Sequence, residues 1–142
     1  MKDHISNQNR QGRGVEISSD GTVRQGWFVN GKLTGEGRMI TSQGNLYEGQ
    51  FVNGVMNGNG RVLYHSSGNL YKGKFVQGAR EGFGEMKYGG GGPSKYVGNW
   101  FNDQRHGQGM FTNENGDLFS GQWERDAEHG EGIYTYHETQ VS

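Results

Sequence analysis

A glycine–aromatic phrase recurs every 23 to 25 residues along nearly the whole chain, and no other feature constrains the fold as tightly. Tyr47-Glu48-Gly49-Gln50-Phe51, Tyr71-Lys72-Gly73-Lys74-Phe75, Tyr96-Val97-Gly98-Asn99-Trp100 and Phe119-Ser120-Gly121-Gln122-Trp123 are copies of one unit. Arg24-Gln25-Gly26-Trp27-Phe28 is an earlier copy without its first ring. A Gly-x-Gly pair follows each copy: Gly35/Gly37, Gly58/Gly60, Gly82/Gly84, Gly107/Gly109 and Gly130/Gly132. A fixed period of this size marks an array, in which each unit is too small to bury its own apolar face and must stack on its neighbours.

Glycine accounts for 28 of the 142 residues, proline for one, and only 30% of the chain is apolar. Glycine at that level without a proline-rich triplet period excludes collagen and raises low-complexity disorder as the alternative. Aromatics at 12%, held in one register from copy to copy, oppose disorder. The array is therefore read as ordered, with a thin core.

Basic and acidic side chains number 14 and 15 and are well mixed, so no global field draws the chain to nucleic acid or to an anionic surface. Cysteine is absent, which removes disulfides, thiolate zinc sites and cysteine nucleophiles. The N-terminus lacks the apolar stretch of a signal peptide, and no run of apolar residues reaches bilayer-spanning length. The expectation is a soluble, cytoplasmic chain.

Within one unit the pattern alternates with period two. Tyr47, Gly49 and Phe51 share one strand face and Glu48, Gln50 and Val52 the other. Asn53-Gly54 turns the chain. The return strand places Gly58, Gly60, Val62 and Tyr64 on the first face and Asn59, Arg61 and Leu63 on the second. The fold class expected is all-β, an elongated single-layer antiparallel meander of about five to six stacked β-hairpins. The array runs over residues 9–136, divided into a partial unit 9–23 and units 24–46, 47–70, 71–95, 96–118 and 119–136, with flexible tails 1–8 and 137–142. Gly89-Gly90-Gly91-Gly92-Pro93 stretches the third full unit into a loop.

Face A repeats rings and glycines. A missing Cβ leaves room for an aromatic plane to lie on the backbone, so face A should form the core. Face B need not satisfy the array and is where binding should lie. Its candidate protein-binding residues are Trp27, Ile40, Leu63, Phe83, Phe101, Met110 and Ile133. Sheet curvature could bury some of them, or they could form a groove for a partner. Lys72, Lys74 and Lys87, with Arg80 and Lys95 nearby, form the one local basic cluster, a candidate for anionic lipid.

The repeated phrase resembles the MORN (membrane occupation and recognition nexus) repeat, Tyr-x-Gly-x-Trp/Phe followed by Gly and then Gly-x-Gly. The likeness covers about residues 9–136. Local departures are Arg24 at an aromatic position, and Asp103 and Asp126 where Gly31, Gly54 and Gly78 hold the turn. The resemblance implies a non-enzymatic scaffold that takes a helix or extended segment of a protein partner. Small chains built of such repeats resemble parts of cytoskeletal assemblies, including ciliary radial-spoke heads in the axoneme. It implies no cofactor. A peripheral membrane protein binding anionic phospholipids or phosphoinositides is the alternative, and open hairpins at the array ends suggest a homodimer.

Motifs that imitate chemistry have simpler readings. Gly68 to Lys74 has the spacing of a phosphate-binding loop, yet Phe75 stands where the magnesium-binding Ser or Thr belongs, and the same glycine frame recurs without lysine. His106 and His129 sit at equivalent turn positions, each near an aspartate (Asp103, Asp126). No serine elbow accompanies them, and neither a metal cluster nor a catalytic dyad is expected.

Overall fold

The computed structural model describes residues 11–138, so the expected tail 1–8 and most of the expected C-terminal tail lie outside the described residues. All regular structure among the described residues is strand. β1 (Gly12–Ile17) precedes five hairpins: β2 (Val23–Val29) with β3 (Lys32–Ile40), β4 (Leu46–Val52) with β5 (Val55–Leu63), β6 (Leu70–Val76) with β7 (Ala79–Lys87), β8 (Lys95–Phe101) with β9 (Gln104–Thr112), and β10 (Leu118–Glu124) with β11 (Ala127–Thr135). Every strand pairs antiparallel with its sequence neighbours, giving one open 11-stranded meander.

Tight two-residue turns close the hairpins along one rim. Their central residues lie at positive φ, as at Asn53 (50°) and Gly54 (89°), the conformation whose twist matches the flanking strands. At the second aromatic position of each hairpin's first strand the register shifts, between Gly49 and Phe51 and at equivalent points of all five hairpins. There the return strand carries two extra residues, among them the first glycine of each Gly-x-Gly pair, at φ 111° in Gly58.

Face A forms the core, and among the described residues no second layer covers it. Phe28, Phe51, Phe75, Trp100 and Trp123 are all buried, as are Tyr71 and Tyr96. Burial that complete on a single sheet requires the side chains of face A to cover one another. They do so as a ladder of edge-to-face rings: Phe75–Tyr71 at 5.1 Å, Tyr71–Trp100 at 5.4 Å, Trp100–Tyr96 at 5.2 Å and Tyr96–Trp123 at 5.2 Å between centroids. The rings lie where glycine makes room. A Cβ on Gly84 would sit 2.3 Å from the Tyr71 hydroxyl, and one on Gly109 2.1 Å from that of Tyr96.

The sequence reading of face A stopped at the first glycine of each return strand. Continued two residues further back, the same alternation reaches Leu33, Met56, Arg80 and Arg105, and these complete the core. Leu33 faces Phe28 and Met56 faces Phe51, both buried. Arg80 faces Phe75, and Arg105 faces Trp100. Arg80 therefore leaves the basic cluster to which the sequence reading assigned it: its guanidinium lies 4.8 Å from the centre of the Trp100 ring on the opposite face.

Both rims tie one unit to the next. Along the tight-turn rim the N–H of Gly54, Gly78, Asp103 and Asp126 donates to the carbonyl of Leu33, Met56, Arg80 and Arg105 respectively. Along the other rim the side-chain oxygens of Asn45, Asn69 and Asp117 accept from the N–H of His65, Gly89 and His137 at 2.8–2.9 Å. His137, read from sequence as the first tail residue, thus continues this rim.

Candidate functional site

Because side chains alternate across each strand, the paired register sorts face B into rows that run perpendicular to the strands. The row beside the longer turns reads Ile17, Val23, Ile40, Leu46, Leu63 and Leu70 on β1 to β6, then Lys87 and Lys95 on β7 and β8. The next row reads Val15, Gln25, Arg38, Glu48, Arg61, Lys72, Glu85, Val97, Met110, Ser120 and Ile133. Trp27 and Phe83 belong to a third row, and Phe101 stands beside a tight turn.

The seven candidate residues therefore do not make one patch. Ile40 and Leu63 share the rim row with Leu46 between them, and Met110 and Ile133 share the second row with Ser120 between them. Trp27 on β2 and Phe83 on β7 are separated by polar side chains. The Nε atoms of Arg38 and Arg61, each 3.6 Å from a carboxylate oxygen of Glu48, form an ion-pair chain through the middle of the face. Exposed pairs of this kind add little stability, but they set a polar boundary between the apolar rows. Apolar exposure is nonetheless large: 50% at Trp27, 64% at Phe83, 55% at Phe101 and 69% at Ile133.

The lysine candidates are also spread over rows. Lys72 stands opposite Arg61 and Glu85, Lys74 lies with its aliphatic stem over Gly82, and Lys87 stands opposite Leu70 and Lys95. Sequence reasoning missed Val23, Leu46 and Leu70 as members of the rim row, since strand-to-strand register had to be known before they could be aligned. The one sequence signal was the recurring aliphatic residue just before four of the five opening positions, at Val23, Leu46, Leu70 and Leu118, with Lys95 at the other.

The glycine-rich insertion builds a cavity on this face. Residues 88–94 flank the rim row at its lysines and, with Leu63, Leu70, Lys87, Lys95 and Thr112, line a solvent-open hollow of about 780 Å³. Lys87 and Lys95 are directly opposed across β7 and β8, and neither has an ion-pair partner among the described residues. Like charges so placed repel one another.

The chemical look-alikes dissolve in the fold. Residues 70–76 form strand β6, so no helix N-terminus stands behind Gly68 to receive a phosphate. His106 and His129 are in strands β9 and β11 rather than in turns. His106 lies 5.8 Å from Phe101 between ring centres, and His129 pairs with Glu124 at 3.3 Å. Asp103 and Asp126 instead accept from the backbone N–H and Nε of Arg80 and Arg105. No cluster of three or more His, Cys, Asp or Glu side chains able to hold a metal occurs among the described residues.

Burial raises the pKa of the core tyrosines: Tyr64 and Tyr88 move up, Tyr71 moves well above the ordinary phenol range, and Tyr96 rises to about 12. Their hydroxyls serve structure. Those of Tyr71 and Tyr96 donate to the carbonyls of Lys74 and Asn99 in their own strands, at 3.0 and 2.8 Å.

Comparison with curated proteins returned no significant match. The family profile described as the MORN repeat matches residues 7–23, 25–46, 47–68, 71–92, 96–118 and 119–138, the same six units that the strands define. Repeats of this kind are known in protein–protein and membrane-binding contexts. With its hairpins, rings and glycines repeated in register across nearly its whole length, the chain belongs to the MORN-repeat family.

Proposed function

We propose that the chain is a non-enzymatic scaffold whose face B binds a segment of a protein partner. One observation carries this reading: face A buries its rings in packing the array up to β10, while face B leaves large apolar side chains uncovered by the described chain. Uncovered rows of this kind favour a helix or an extended segment laid along the sheet. The separation of Lys72, Lys74 and Lys87 over three rows weighs against a lipid headgroup site built from those residues. All nine residues of β11 are exposed, so the same proposal includes pairing with a second copy through that edge. A place in a cytoplasmic cytoskeletal or axonemal assembly belongs to the proposal through family resemblance alone, and co-sedimentation of the chain with isolated axonemes tests it.

The main test is affinity capture with the wild-type chain and a Trp27→Ser/Phe101→Ser/Met110→Ser variant, with β circular dichroism verifying the fold of both. A named partner captured by the wild type and lost from the folded variant supports the reading. The same partners captured by both proteins overturn it for these residues.

A further inference from the structure

The continuous aliphatic stretch of the rim row ends in an arrangement that nothing in the array requires, before the row goes on through Thr112, Leu118 and Thr135. Six aliphatic side chains on six consecutive strands, Ile17 to Leu70, run into two opposed lysines, and there the glycine-rich loop lines an open hollow with the row. Leu46 and Leu70 are each half-buried, so the row is a smooth strip rather than a set of separate knobs. At ordinary strand spacing it spans about 24 Å from β1 to β6. An α-helix of about 16 residues has that length, and its rise of about 5.4 Å per turn comes close to the strand spacing of about 4.8 Å. One aliphatic side chain per helical turn would meet one strand after another.

Charge gives the strip a direction. Lys87 and Lys95 are held together by the β-register, and the nearest acid on the same face, Glu85, stands in the adjacent row opposite Lys72 and Val97. An incoming carboxylate would relieve this repulsion in a cavity whose other walls are Leu63, Leu70 and the glycine backbone. The negative end of a helix dipole adds to the same preference. The geometry points to a partner helix with an aliphatic stripe and an acidic C-terminal end, lying along the rim row with that end beside the loop at residues 89–93. The inference rests on the scaffold reading and narrows it to one row, one partner polarity and one anchoring site. It assigns the anchor to Lys87 and Lys95 and gives Trp27 and Phe83, three rows in, no part in it.

A display library of random peptides about 16 residues long, the length set by the row, tests the inference when selected against the whole chain. Parallel selection uses Lys87→Glu/Lys95→Glu, whose changes lie on the exposed face; circular dichroism checks both folds. The wild type should enrich peptides with an aliphatic residue at each turn and acidic residues at the C-terminal end. These should bind the charge-reversed variant roughly tenfold more weakly, and that variant should enrich basic ends instead. Deleting two of the glycines at 89–92, which cuts the loop 88–94 to the length of the Thr41–Asn45 turn, should weaken the same peptides, and Ile40→Asp or Leu63→Asp should abolish their binding. Peptides that bind the charge-reversed variant as well as the wild type overturn the inference. If their binding requires Trp27 and Phe83 while ignoring both lysines, the inference falls and the scaffold reading stands. No enrichment sinks the inference, and capture by phosphatidylserine vesicles that depends on Lys87 and Lys95 would then assign the site to a membrane surface.

Discussion

The joints between the N-terminal units and those between the C-terminal units share one backbone connection but are sealed by different chemistry. In the first half, aliphatic plugs fill the space over the glycines. Leu33 lies against Gly37 and the Met56 methyl against Gly60, and the next turn uses Gly54 or Gly78. In the second half, Tyr71 and Tyr96 swing over Gly84 and Gly109 and occupy that space. The residue that would have filled it is now arginine, which reaches across Trp100 or Trp123 to the following turn. That turn carries aspartate: Asp103 accepts from Arg80 and Asp126 from Arg105, at φ of 69° and 67°. Glycine adopts such a φ without strain but offers no side-chain acceptor, whereas aspartate accepts the strain and its carboxylate gains two bonds from one arginine. The choice at the plug and the choice at the turn are therefore one choice.

The sharpest break in this comparison should come at the ring ladder. Trp100→Ala removes the platform of Arg80 and the edge contacts of both Tyr71 and Tyr96, and should cost about 4 kcal/mol in urea unfolding. A smaller loss than from Met56→Ala would show that the aliphatic joints, not the ladder, dominate stability. Next, Gly84→Ala should cost about 2–3 kcal/mol, because its Cβ would strike a ring and its hydroxyl, neither of which can yield. Gly37→Ala meets the branched end of Leu33, Cγ and both methyls at 3.0–3.1 Å, less closely than Gly84 meets its ring, and should cost less.

The tyrosines sharpen the comparison through pH. Tyr96 rises to about 12 from the ordinary 10.0 of a phenol because burial disfavours the phenolate, and Tyr71 moves in the same direction. The folded state holds the proton more tightly than the unfolded chain. Stability from this source is complete below about pH 10 and is lost as pH climbs through about 12. Tyr71→Phe/Tyr96→Phe should flatten that alkaline decline in a urea titration. At neutral pH each single change should cost about 1 kcal/mol for its lost hydrogen bond. The smallest effect is the coupling between Arg80 and Asp103, about 0.5 kcal/mol in a double-mutant cycle because the aspartate side chain is half-exposed. Gly78→Asp should destabilise the chain when Met56 is present and be partly rescued by Met56→Arg.

The number of hairpins, their all-β class and the identity of the core face were legible because period two and the 23-to-25-residue repeat are both local properties. The tight turns were legible for the same reason, at Asn30-Gly31 and Asn53-Gly54. Leu33 and Met56 were within reach of the same alternation. Arg80 was misplaced because a charged side chain reads as exposed until its aromatic covering and its aspartate partner are known.

The sequence by itself determined the repeat, the strand alternation and the ring-on-glycine core, since each depends on neighbours within a single unit. Only the tertiary structure decided which face-B residues align. A row perpendicular to the strands draws each member from a different strand, so its composition depends on ten registers, five of them irregular. That is why Trp27, Phe83 and Phe101 fall apart into separate places, while Ile40, Leu46, Leu63 and Leu70 come together and end at Lys87 and Lys95.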